Sequence, residues 1–236
     1  MRTLVVGDIH LCDRPPSIRT DDYLEHILDK LAYTVEVAEQ QDVMAVVWAG
    51  DVFHIKTPGR NSHYMVQRVI DIGQDYLDAG IGWYVVPGNH DLSHDRLDWS
   101  HQPLGLLFKS GAIPCIGEMQ GLGVFGIPWL QDWDAQLPGY MQKWQESTAG
   151  LMVTHAPIAP PGKTYPYEFV DATDWAKAMQ RPGDVYYGHM HMTHGSYSVE
   201  TEEGVFWFCN QGALSRGSLH EETLAREPAV TVYEYA

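Results

Sequence analysis

Short apolar runs that stop at a polar tip recur along this chain, and most are followed by apolar residues at helical spacing. Residues 2–6 hold two adjacent valines and stop at Gly7-Asp8, which predicts a buried strand running into a loop. Thr20-Asp21-Asp22 then offers a helix cap, and Leu24, Ile27, Leu28, Leu31 and Val35 fall on one helical face. Residues 43–48 predict a second buried strand that stops at Gly50-Asp51. A helix over 62–77 follows, with Gly80 as its stop. Residues 83–86 predict a third strand, ending in Pro87-Gly88-Asn89-His90-Asp91.

The second half is richer in strands. Residues 113–116 and 124–127 are expected as strands, then a helix over 134–144 and a strand over 151–154 with His155 at its end. A helix over 169–179 leads to a strand over 185–187 and the tip Gly188-His189-Met190-His191. Residues 196–201 and 205–209, joined by Glu202-Glu203-Gly204, predict a hairpin, and 230–235 predict a last strand. No repeat or linker divides the chain. The expected fold is α/β: one domain over 1–236, with two packed mixed β-sheets flanked by helices, an αββα sandwich. Ligands of open α/β sheets gather beyond the carboxyl ends of strands, where all the histidine-bearing tips fall.

Composition narrows the function classes. A chain of 236 residues, 44% hydrophobic and 19% charged, is long enough for a sizeable core. It has no apolar run of 18 residues, so no membrane span is expected. Residues 1–6 lack the length and cleavage site of a secretory signal. Cys12, Cys115 and Cys209 form no Cys-x-x-Cys pair, so neither a disulfide framework nor a zinc ribbon is expected, and a reduced, cytoplasmic setting follows. A net charge of −16 disfavours extended nucleic acid and favours small anionic substrates held through bound cations. Histidine stands out, with twelve copies, many beside Gly, Asp or Asn.

Five tips supply candidate ligands: Asp8 and His10; Asp51; Asn89; His155; His189 and His191. Any one alone is an ordinary turn or surface residue; five at successive strand ends, all offering O or N donors, form a set. Phosphoester hydrolysis needs charge neutralised and a hydroxide made available near neutral pH. A metal pair about 3.5–4 Å apart does both, lowering the pKa of bound water towards about 7.

The strings GDIH, GDVFH, GNHD, THAP and GHMH, spread over residues 7–191, resemble the five ordered motifs of the calcineurin-like metallophosphoesterases. The resemblance implies Asp8, His10 and His191 on one metal, Asn89, His155 and His189 on the other, and Asp51 bridging both. It implies that His90 faces the substrate, stabilising charge or protonating the leaving oxygen, with Asp91 fixing its tautomer. A bridging hydroxide would attack phosphorus in line. Mixed Asp/His/Asn donors without thiolate suit two divalent ions, Mn²⁺ first, with Fe²⁺, Zn²⁺ or Ni²⁺ as alternatives.

His54 stands where the purple acid phosphatase branch carries an iron-binding Tyr and the DNA repair exonuclease branch an Asp. A ferric, redox-active centre is therefore not expected, and His54 is either a support for the site or a substrate contact. The expected substrate is a small nucleotide-type phosphodiester, such as a 2′,3′-cyclic nucleotide. A DNA-end exonuclease similar to double-strand-break repair nucleases is the alternative, and an inactive scaffold the third. Arg60, Asn61, His63, His94, Arg96 and Arg216 are lesser candidates for phosphate or sugar contacts. Trp129, Tyr165 and Tyr167 are lesser candidates for base stacking, worth about 1–3 kcal/mol where it occurs.

Overall fold

A computed structural model describes residues 1–17, 19–56, 61–92, 101–113, 115–116 (backbone only), 122–217 and 225–235. Arg60, His94 and Arg96 lie outside the described residues. Strands β1 (Arg2–Val6), β2 (Ala45–Trp48), β3 (Gly82–Val85) and β4 (Cys115–Ile116) run parallel in one sheet. β5 (Val124–Ile127), β6 (Leu151–Thr154) and β9 (Asp184–Tyr187) run parallel in the other. A two-residue pair, β7 (Ile158–Ala159) and β8 (Val170–Asp171), stands apart. The hairpin β10 (Gly195–Thr201) and β11 (Gly204–Asn210) adds to the second sheet, and β12 (Thr231–Glu234) lies antiparallel to β1. The sheet orders are β12-β1-β2-β3-β4 and β10-β11-β9-β6-β5.

The strands are apolar on both faces because both faces are covered. Leu4, Val6, Val46 and Trp48 point to one side and pack with α1 (Tyr23–Gln40) and α2 (His63–Asp78). Val5, Val47, Val153, Leu151 and Tyr186 point inward and fill the space between the sheets. Phe125, Met152 and Val185 cover the opposite face under α4 (Trp133–Glu146) and α5 (Ala172–Met179). The order of layers is therefore helix, sheet, sheet, helix. Each fully buried Val or Leu contributes about 1.5–3 kcal/mol. No helix among the described residues is long and apolar enough to cross a membrane.

The helix starts follow local chemistry. The Asp22 side chain caps α1 at the Glu25 amide, and the Ser62 side chain caps α2 at the Met65 amide. The expected start at 169 is corrected: Val170 and Asp171 pair with β7, and Asp171 then caps α5 through the Thr173 amide (2.7 Å). A short helix, α3 (Pro103–Lys109), was not expected from the sequence; proline at its first turn is compatible with helix initiation.

Candidate metal centre

The carboxyl ends of β1, β2, β3, β6 and β9 open onto one another, and their loops are tied together by backbone bonds. The His10 amide donates to Asp51 O (2.8 Å), the Trp129 amide to Pro87 O (2.9 Å) and the Leu214 amide to Asp8 O (2.7 Å). His10, Asp51 and His189 all hold positive φ, at 53°, 49° and 69°. Such backbone costs of order 1–3 kcal/mol per non-glycine residue and concentrates at functional sites. Glycines allow the closeness. A Cβ at Gly50 would lie 2.3 Å from His155 Nδ1, one at Gly88 2.3 Å from Asp51 Oδ1, and one at Gly188 2.5 Å from Asp8 Oδ1.

All seven expected ligands converge. Asp51 Oδ2 stands between two groups, 3.5 Å from His10 Nε2 and 3.4 Å from His155 Nε2. On one side His10 Nε2 and His191 Nε2 are 2.8 Å apart, and Asp8 Oδ2 is 3.5 Å from His191 Nε2. The donor atoms of Asp8, His10, Asp51 and His191 all lie within 4.8 Å of one another. On the other side Asn89 Oδ1 is 3.1 Å from both His155 Nε2 and His189 Nδ1. His155 Nδ1 donates to Ala49 O (2.7 Å), which orients the ring and turns Nε2 to the centre. Asp8 Oδ2 is buried and accepts no hydrogen bond, the condition a cation satisfies. The donor set thus fits two divalent cations sharing Asp51.

The electrostatics agree with a buried mixed cluster. Burial pushes the Asp8 carboxyl up, against the pull of His155 and His191. Burial also opposes ionisation of Asp51, but His155 and His10 more than offset it and hold that carboxyl well below its ordinary value. Burial alone would lower His155; the Asp51 and Asp8 carboxylates reverse this and raise it to about 10. Burial, then the charge of His155, lowers His189 to about 3. His189 is therefore a neutral donor near pH 7.

Residues 1–193 match the profile of the calcineurin-like phosphoesterases. The chain belongs to that family. A dimetal phosphatase from Danio rerio has the same fold, with a TM-score of 0.51 at 12% identity over 90% of this chain and 87% of that one. The present chain is also 25% identical, over 137 residues, to exonuclease subunit 1 of Enterobacteria phage T4. That alignment takes in 55% of the present chain and 38% of the phage protein's length.

The neighbours of the seven differ in part from expectation. Asp91 does not reach His90: its carboxylate accepts from the amides of Val52 (3.0 Å) and Gly88 (3.0 Å), bracing two ligand loops. Burial, then the Asp51 charge, raises Asp91 to about 7. The His90 ring is held by the His54 carbonyl instead, with Nδ1 2.5 Å from that oxygen. His54 Nδ1 lies 3.3 Å from His10 Nδ1, and the His54 and His90 rings stack at 5.4 Å. Donor atoms of His10, His54 and His90 also fall within 4.8 Å of one another.

Trp129 covers the other flank, its ring 4.7 Å from that of His189. Tyr167 is exposed and stacks on Tyr165, whose hydroxyl meets His194 (2.8 Å). Asn61 donates to Ile55 O (3.2 Å), and His63 opens α2. Asn210 was missed in the sequence. Its Nδ2 donates to Tyr187 O (2.8 Å) and Met190 O (3.1 Å), and its Oδ1 accepts from the Gly212 amide (3.0 Å), clamping the loop that bears His189 and His191. The only signal was an Asn-x-Gly at a strand end.

Proposed function

We propose that this chain is a two-metal phosphodiesterase acting on small nucleotide esters, with Mn²⁺ as the first cation to test. Two divalent cations supply Lewis acidity and a water of lowered pKa. The residues supply the rest. Asp51 holds the halves at a fixed spacing, Asp8 and Asn89 complete one side each, and His155 is locked by its backbone partner. One observation supports the hydrolase reading: His90 Nδ1 donates to the His54 carbonyl, so in the doubly protonated ring Nε2 is the position that gives a proton to a departing oxygen. An ester oxygen that leaves as an alkoxide needs that proton.

The test is turnover of bis-p-nitrophenyl phosphate and p-nitrophenyl phosphate by Mn²⁺-loaded protein, then of 2′,3′- and 3′,5′-cyclic nucleotides and single- and double-stranded DNA. The diester is expected to be the better aryl substrate. Turnover of the monoester alone would reject the proposal. The similarity to the phage exonuclease subunit favours a second reading, cleavage at DNA ends, in which DNA would outpace every mononucleotide in the same panel.

A further inference from the structure

A cavity of ≈ 280 Å³ opens from the metal centre, sharing His10, His54 and His191 with it. Ligand pockets usually span about 300–1,000 Å³, so this one takes a group of roughly nucleoside size. Its walls are apolar at Pro16, Tyr23 and Ala213, and Arg14 and Arg226 also line it. Arg226 is braced by three carbonyls, those of Gln211, Ala213 and Ser215, while its Nε is buried and donates to nothing.

More positive charge stands behind this wall. Arg19 donates to Arg216 O (2.9 Å) and lies over the Tyr23 ring, and Lys30 donates to Leu214 O (3.3 Å). Burial, then Arg216, Arg19 and Arg226, lowers Lys30 to about 8. Asp21 is engaged by Arg19 and His26, and Asp13 by the Ser62 amide and hydroxyl. With Arg19 paired to Asp21, Arg14, Lys30, Arg216 and Arg226 remain, four of the 15 basic residues in a chain of net charge −16. Such a local excess beside a neutralised metal site is a place for an anion.

We infer that the cavity seats the nucleoside next to the scissile phosphate, with its guanidinium groups receiving a second phosphate on that nucleoside. The preferred substrate is then a nucleotide ester with a further phosphate, as in a dinucleotide, rather than a cyclic mononucleotide. This rests on the phosphodiesterase reading and narrows it.

The test compares thymidine 5′-phosphate with thymidine 3′,5′-bisphosphate as inhibitors of bis-p-nitrophenyl phosphate turnover. One added charge-assisted contact predicts about tenfold tighter inhibition by the bisphosphate. Arg14 is exposed, so Arg14→Ala is not expected to disturb folding, and it should erase most of this preference. Lys177→Ala, at an exposed site on α5, should keep it. Equal inhibition by the two ligands, or a preference untouched by Arg14→Ala, overturns the inference. If bis-p-nitrophenyl phosphate is not hydrolysed at all, the functional reading fails separately. Calorimetric titration of the same two ligands then decides the cavity: tighter bisphosphate binding upholds it, and equal binding rejects it.

Discussion

His155 and His189 lie against the Trp129 ring, at 6.3 and 4.7 Å, with His155 wholly buried, whereas across Asp51 the His10 and His191 flank meets the ≈ 280 Å³ cavity. The His191 side chain is 56% exposed. Each flank has two histidines, and the difference in cover lies at His191, because Asp8 and His10 are buried like His155. A covered flank can fix ligand positions and exclude water; an uncovered one can admit the ester. On the phosphodiesterase reading, cation placement and substrate entry would fall on the two sides of one carboxylate.

Breaking the shared carboxylate should have the largest effect. Asp51→Ala is expected to take turnover to background and bound metal, measured by mass spectrometry, below two ions per chain; two retained ions with full turnover would remove Asp51 from the bridge. His90→Ala comes next. It should keep both metals and lose about 10²–10⁴-fold in rate, most for poor leaving groups, and loss of metal would instead make His90 a ligand. Trp129→Ala sharpens the contrast between flanks: metal affinity is expected to fall about tenfold, the lower end for a supporting residue, with little change in KM. A KM effect without a metal effect would give Trp129 to the substrate.

The smallest effect concerns stability behind the cavity. Lys30 is lowered to about 8 from its ordinary 10.5, so between these values the unfolded chain binds more protons than the folded one. Stability contributed by Lys30 therefore rises as pH climbs from about 8 to 10.5. The difference in unfolding free energy between the native protein and Lys30→Met, from urea titrations, should grow across this window by up to about 1 kcal/mol, given the half-exposed position. A flat difference would mean that neither burial nor the neighbouring arginines lower Lys30.

Much of this was legible in the chain. Strands apolar on both faces with polar tips betrayed layers covered on both sides, and five tips with matching donors marked the seven side chains that the fold brings together. Pairings between distant segments were not legible, because nothing local tells β12 to join β1 or β11 to lie beside β9. The two-residue strands β7 and β8 are too short for a period. The partner of His90 could not be read either, since a carbonyl carries no residue identity, and adjacency suggested Asp91 instead. Arg14 and Arg226 sit 212 positions apart, and only folding puts them in one wall.

Gly50 abuts His155, Gly88 abuts Asp51 and Gly188 abuts Asp8, so the main chain of one loop is the stop against which a neighbouring loop's ligand rests. The three loops interlock like pieces of a wooden puzzle. An engineer who transplants any one of them from a relative would also have to bring its counterparts, and a random library confined to a single loop would sample mostly dead proteins.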